Sequence, residues 1–281
     1  MEIKDLIQKA FKPKFRGITM RIINNPDNSD YEALNKILVP VNIASRAQDF
    51  LSELTGNYGS WRYEQILKER TQDFKAFRVY PSESSPQDGA WMIKIPRDNE
   101  LWRSTLDSRV KAQYLEYEEG YSTSDFDNIL DYVKVVDERI PEEPMVGISR
   151  VEHIDEDFLI TKYAPGEAYG DLNNVRFDSL KHLSWTLGRL NESGIFLADF
   201  HNENFVIDAN KAYIIDQGAL AVVKGMKLEK PETNNMRDLL KVISNCDDQL
   251  SDQGVEHTIY EIERCFEEGF NGKPYSEDFE L

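Results

Sequence analysis

Two cysteines, Cys246 and Cys265, are all that the 281 residues contain. That is too few for a disulfide framework or a cysteine-based zinc site, so both are expected as reduced thiols in helical segments of a cytosolic protein. Long apolar runs are missing as well. No stretch approaches the roughly 20 residues that cross a bilayer, and the N-terminus lacks the apolar core of a signal peptide. Positive charge is scarce: 33 Lys and Arg face 51 Asp and Glu, giving a formal charge of -18 and a pI near 4.7. Neutralising nucleic-acid phosphates needs a basic face, so general nucleic-acid binding is not expected. Internal repeats and low-complexity tracts are absent too. A soluble, cytoplasmic protein without a transmembrane segment is the expectation.

What is present argues for a substantial core. Hydrophobic residues make up 40% and aromatics 11% of the 32.6 kDa chain. That suits one large domain or two lobes. The first 22 residues stand apart: Lys4, Lys9, Lys12, Lys14, Arg16 and Arg21 oppose only Glu2 and Asp5. Ile3, Leu6, Ile7, Ala10 and Phe11 fall on one helical face. Such a basic amphipathic helix suits a partner, a membrane surface, or the protein's own acidic domain.

Residues 28–55 read as helix in two pieces, YEALNKIL and SRAQDFLSEL, with Pro40 breaking the pattern between them. From Trp61 the text changes to aromatic and β-branched runs, WRYEQILKE, FKAFRVYP and GAWMIKIP, which predict a three-stranded antiparallel meander. Helical text follows from Leu101 to Glu119 and from Asp125 to Val136, then two strand-like runs, MVGISRVEH and FLITKYA. Pro165-Gly166 closes this region. Beyond it Leu180, Leu183, Leu187 and Leu190 recur at helical spacing, and Gly194 caps the run. NNMRDLLKVIS and HTIYEIERCFEEGF read as the last helices. Strands with one or two helices, then helices around a polar hairpin, make an α+β arrangement of two lobes.

That hairpin carries the densest chemistry. LADFHNENFVID reads as a polar loop entering a strand; after a turn at Ala209-Asn210, a second strand ends at Asp216. Asp199, Asn204 and Asp216 therefore lie on loop ends of one hairpin. Oxygen-bearing groups of this kind suit magnesium and a hydroxyl that must lose a proton. The same residue types are also the commonest in ordinary turns.

Asp199, Asn204 five positions on, and Asp216-Gln217-Gly218 after the next strand resemble the protein-kinase-like superfamily, from about Trp61 to the last helices. The resemblance implies a two-lobed protein-kinase-like fold: a small antiparallel-sheet N-lobe and a mainly helical C-lobe. The boundaries would be 1–55 for an N-terminal helical extension, 56–163 for the N-lobe and 164–281 for a reduced C-lobe. Asp199 would act on the acceptor hydroxyl, while Asn204 and Asp216 would hold Mg2+. Lys94 in MIKIP would meet the ATP phosphates. The backbone of Lys162 and Ala164 would meet the adenine edge, with Thr161 at the gatekeeper position. Glu116 and Glu118 flank the apolar face of the Leu101–Glu119 helix, and Glu116 is the acid assigned to orient Lys94.

The pattern also departs from that family. Leu197-Ala198-Asp199 stands where standard eukaryotic kinases write His-Arg-Asp, and Gln217 replaces a phenylalanine. Asp-x-His-x-x-Asn, with His201 bonding within the loop, is similar to aminoglycoside phosphotransferases and atypical bacterial kinases. The nucleotide loop, placed at Glu69 to Phe74, has no glycine, so Arg70 and Thr71 would substitute; Gly56 and Gly59 offer an alternative loop. No Ser, Thr or Tyr occurs from Ala219 to Pro231. That resembles reduced kinases that some bacteria deliver into host cells, in which Asp238 would support the catalytic loop. The expected function is an ATP- and Mg2+-dependent serine/threonine-type protein kinase of atypical bacterial or phage kind, acting on an unidentified protein. A small-molecule kinase, a non-catalytic pseudokinase and nucleotidyl transfer on the same fold are the alternatives.

Overall fold

Pro40 cannot continue a helix backwards, and it stands at the N-cap of the first described helix, α1 (Val41–Thr55), with φ -53° and ψ 139°. Its carbonyl accepts the Ala44 N–H at 2.9 Å. The helix stops at Gly56, whose φ of 68° is a left-handed conformation that favours glycine. The computed structural model describes residues 39–65, 74–84, 89–96, 125–164, 166–168, 177–198, 200, 204–208, 210–222, 233–244 and 252–275. The basic helix of residues 1–22, the Leu101–Glu119 helix, Arg70, Thr71, Glu116 and Asp199 lie outside them.

Ile43, Ala47 and Leu51 recur every fourth position along α1 and are all buried. They close over a sheet of five antiparallel strands: β1 (Trp61–Gln65), β2 (Phe74–Pro81), β3 (Trp91–Pro96), β4 (Val151–Ile154) and β5 (Leu159–Lys162). The order is β1-β2-β3-β5-β4, so the expected meander forms the first three strands and the later pair adds to β3. Strand alternation sends Phe77, Val79, Trp91, Ile93 and Ile160 to the α1 face. Arg46 of α1 ties this layer to the β4–β5 turn by reaching Asp155 and Asp157. The helix thus belongs to the core of the sheet unit.

The chain forms two compact units: positions up to Arg97 together with Val151–Tyr163, and positions 98–150 together with 164–281. In the second unit, α2 (Ile129–Arg139) begins at Asn128, whose side chain accepts the Leu130 and Asp131 N–H groups. Helix α3 (Phe177–Glu192) is buried continuously from Ser179 to Asn191. Its polar residues are matched inside: Ser184 donates to Ile262 O at 2.6 Å and Trp185 Nε1 to Lys273 O at 2.9 Å.

Helices α4 (Thr233–Ser244) and α5 (Asp252–Phe270) are the other described helices of this unit. α3 and α5 touch backbone to backbone. A Cβ on Gly188 would fall 2.2 Å from Phe266 O, and one on Gly269 would fall 2.2 Å from Trp185 O. Only glycine at both points permits that approach. The α3 chain ends through Gly194 at φ 74°, as its cap position predicts.

The remaining strands are β6 (Glu167–Ala168), β7 (Ile195–Leu197), β8 (Phe205–Asp208), β9 (Lys211–Ile214) and β10 (Leu220–Val222). Among the described residues, no helix is long and apolar enough to cross a membrane.

Candidate active site

β8 and β9 form the expected hairpin, with Phe205 opposite Ile214 and Asp208 opposite Lys211. Phe205, Val206, Ile207, Ala212 and Ile214 are buried, which anchors the register to the unit's core. Extending that register by one residue sets Asn204 against Ile215, and the Ile215 N–H donates to Asn204 O at 2.8 Å. Asn204 and Asp216 therefore leave the hairpin at the same end. Asn204 is only 9% exposed, and Asp216 is half-buried.

Asp216 opens a 3-10 turn, Gln217–Ala219, by accepting the Gly218 N–H on Oδ1 at 3.1 Å. The chain then returns as β10, which pairs with β7 so that Leu220 lies opposite Leu197. Just beyond that pair, the Ala198 N–H donates to Ala219 O at 2.8 Å. Asp199 follows Ala198 directly. On its other side, the Phe200 ring meets the Phe205 ring edge-on at 5.4 Å. Ala198 and Asn204, which bound the loop, are thus tied to Ala219 and Ile215, the positions that bracket the Asp216 turn.

Three supports of this arrangement were not read from the sequence. Asn235 of α4, fully buried, accepts the Leu197 N–H at 3.2 Å and donates to Leu197 O at 2.8 Å. It also accepts from Asn191 Nδ2 at 3.3 Å. These bonds to the strand before Asp199 come from one turn ahead of Asp238. An asparagine at a helix start reads as a cap, so only its burial marks it.

Tyr132 of α2 is the second support: its buried phenol donates to Leu220 O, and burial pushes its ionisation well above the ordinary tyrosine range. The third is the run MVGISRVEH, expected as one strand. It divides: Ile148 bridges β9 in parallel beside Ile214, while Val151–Ile154 joins β5. Gly147 allows this, since a Cβ there would fall 2.0 Å from Ala212 O.

His182 buttresses the hairpin from beneath. Its Nε2 lies 2.9 Å from Met145 O and its Nδ1 accepts the Ala212 N–H at 3.2 Å, so the ring is neutral with its proton on Nε2. Burial pushes its pKa down to about 4.

In the sheet unit, Lys94 lies on β3 between Ala76 and Leu159 in register, on the face opposite to Ile93 and Ile95. The alternation is as expected. Lys94 is 8% exposed, and its ammonium stands 5.8 Å from the Phe74 ring centre. Thr161, on the same face, is fully buried. Lys162 sits opposite Trp91 with an exposed side chain near Glu152, at 3.7 Å. Ala164 is half-buried just after β5.

Asn204 and Asp216 are the predicted site residues that the described structure brings together. Both offer oxygen, the donor type a hard cation such as magnesium takes. Among the described residues, no group of three or more His, Cys, Asp or Glu side chains gathers as a metal cluster.

No family model matches the chain, and no curated protein does. Among solved structures, one that it is similar to is a macrolide 2'-phosphotransferase from Brachybacterium faecium, in its apoenzyme form. The identity is 10% and the TM-score 0.41, over 80% of this chain and 82% of that one.

Proposed function

We propose that this chain is a phosphotransferase of the protein-kinase-like kind, using ATP and Mg2+ to phosphorylate a hydroxyl. One observation carries the reading. The loop holding Asp199 is tied at Ala198 to Ala219 and at Asn204 to Ile215, on either side of Asp216. These ties support the reading, because transfer by positioning and charge neutralisation needs a proton acceptor and oxygen donors held near one another.

In this reading Asp199 orients the acceptor hydroxyl and takes its proton. Asn204 and Asp216 hold magnesium, whose part is to neutralise charge on the transferring phosphate; its other positions go to nucleotide oxygens and water. Lys94 meets the nucleotide phosphates, Glu116 orients Lys94, and the backbone at Lys162 and Ala164 meets the base. Arg70 and Thr71 do the work of the missing glycines. The acceptor in this reading is a serine or threonine of a protein.

A small-molecule acceptor is the second reading, favoured by Asp199-x-His201-x-x-Asn204. Incubation with γ-labelled and, separately, α-labelled ATP plus magnesium, followed by mass spectrometry, tests both. Transfer of the γ label alone is expected. Transfer of the α label would mean nucleotidylation, and no transfer to any acceptor would mean a binding module.

A further inference from the structure

We propose that Gln217 is a positioning residue that couples the Asp216 turn to segment 147–150, the stretch that continues covalently into β4 of the sheet unit. The proposal rests on the phosphotransferase reading, in which Asp216 holds magnesium.

Gln217 follows Asp216 directly, yet it is only 1% exposed. Burying a carboxamide is costly unless its polar atoms are bonded, and an apolar residue would fill the same space without that cost. The side chain has a specific partner: Nε2 donates to Ser149 O. Ser149 is itself buried, and its N–H donates to Ile214 O at 2.8 Å, while the Ile214 N–H donates to Gly147 O at 2.9 Å. Both backbone groups of Ser149 are therefore engaged by the hairpin strand and its turn.

The next residue continues the fastening, since the Arg150 guanidinium donates to Pro141 O beyond α2. After Arg150 the chain passes from the helical unit into Val151 of the sheet unit. A shift of the Asp216 turn cannot occur without breaking the Gln217 bond or moving Ser149. Moving Ser149 moves the crossing segment through two peptide links. Occupancy of the Asp216 site and the state of the crossing segment thus belong to one equilibrium, and each must bias the other. The donor at 217 adds a side-chain tie to the two backbone bonds that Ile214 makes with the segment.

Hydrogen exchange by mass spectrometry on the full chain tests this, with and without Mg2+ plus ATP, in wild type, Gln217→Met and Gln217→Asn. Methionine keeps length and loses the donor. Without ligand, exchange in Gln217→Met should rise in 147–151 and 216–220 together, by roughly tenfold, the scale of one hydrogen bond. The amides of α3 should keep their rates. With Mg2+ and ATP, both segments should slow in wild type, but only 216–220 in Gln217→Met.

Gln217→Asn supplies a second test. It keeps the carboxamide but is one methylene shorter, so it too should lose the bond to Ser149 O and loosen both segments. Unchanged ligand-free exchange of 147–151 in Gln217→Met would overturn the proposal. So would equal protection of 147–151 by nucleotide in that variant, or unchanged ligand-free exchange of 147–151 in Gln217→Asn should the methionine variant not fold. Absence of nucleotide protection in wild type would defeat the phosphotransferase reading and the coupling with it, while the ligand-free arm would still report on the Gln217–Ser149 bond.

Discussion

A carboxylate that takes a proton and a lysine that meets phosphates fail differently when removed. Asp199→Asn keeps size and one acceptor oxygen but cannot accept the proton, so transfer should fall by roughly 10²–10⁴-fold with ATP affinity little changed. Under the proposed function, Lys94→Ala should weaken affinity and rate together, because its charge would meet the nucleotide directly. Calorimetry and label incorporation on both variants separate the two effects; unchanged transfer in Asp199→Asn would remove that loop from the chemistry.

His182 makes a prediction of the opposite kind, about stability. Its pKa lies near 6.5 when unfolded and about 4 when folded, because burial, with the nearby Lys211 charge, favours the neutral ring. The unfolded chain binds this proton first as pH falls. The contribution is therefore whole above pH 6.5 and is lost progressively down to about pH 4, with a total of roughly 3 kcal/mol. Urea titrations across that window should show a shallower pH dependence in His182→Gln than in wild type. Parallel curves would assign the acid sensitivity to other groups.

At the scale of elements, the helical unit depends on two kinds of fit. The α3–α5 contact is steric: the Cβ of Gly188→Ala would meet the Phe266 carbonyl, a backbone atom that cannot rotate away. The helices must separate, at a cost of roughly 1–3 kcal/mol readable as a lower urea midpoint. The Asn235 contact is polar. Asn235→Ala would strip the partner from the Leu197 N–H and carbonyl, buried groups that cost about 1–3 kcal/mol each when unpaired, and would remove one of the partners of Asn191. That variant should lose stability and also transfer rate, since Leu197 leads into Asp199. Loss of stability with an unchanged rate in the folded fraction would make Asn235 structural only.

For the whole molecule, the proposed activity should not depend on phosphorylation of the segment after the Asp216 turn. That segment returns at once as β10 against β7, with Tyr132 holding Leu220 O, and no hydroxyl residue occurs from Ala219 to Pro231. Ordering a loop by phosphorylation needs a residue to carry the phosphate. Protein made without any other kinase, and shown by mass spectrometry to be unmodified, should therefore be active. Inactivity until modification elsewhere would contradict a self-sufficient enzyme.

Much of this architecture was legible in the sequence because it rests on local periodicity. The leucines of α3 repeat at helical spacing, β8 and β9 flank an obvious turn, and Pro40 breaks the helical text just before α1, so each element declares itself within about 15 residues. Asn204 and Asp216 were legible for the same reason, being at one end of a single hairpin. What the sequence could not determine are the contacts between distant stretches. The two bonds from Asn235 to Leu197, the Gln217 amide on Ser149, and the division of MVGISRVEH between two units depend on which surfaces meet. Nothing in a ten-residue window distinguishes a buried glutamine with a partner 68 positions away from an exposed one in a turn. Tertiary structure decides that, because a buried polar group is tolerated only where the fold delivers its partner.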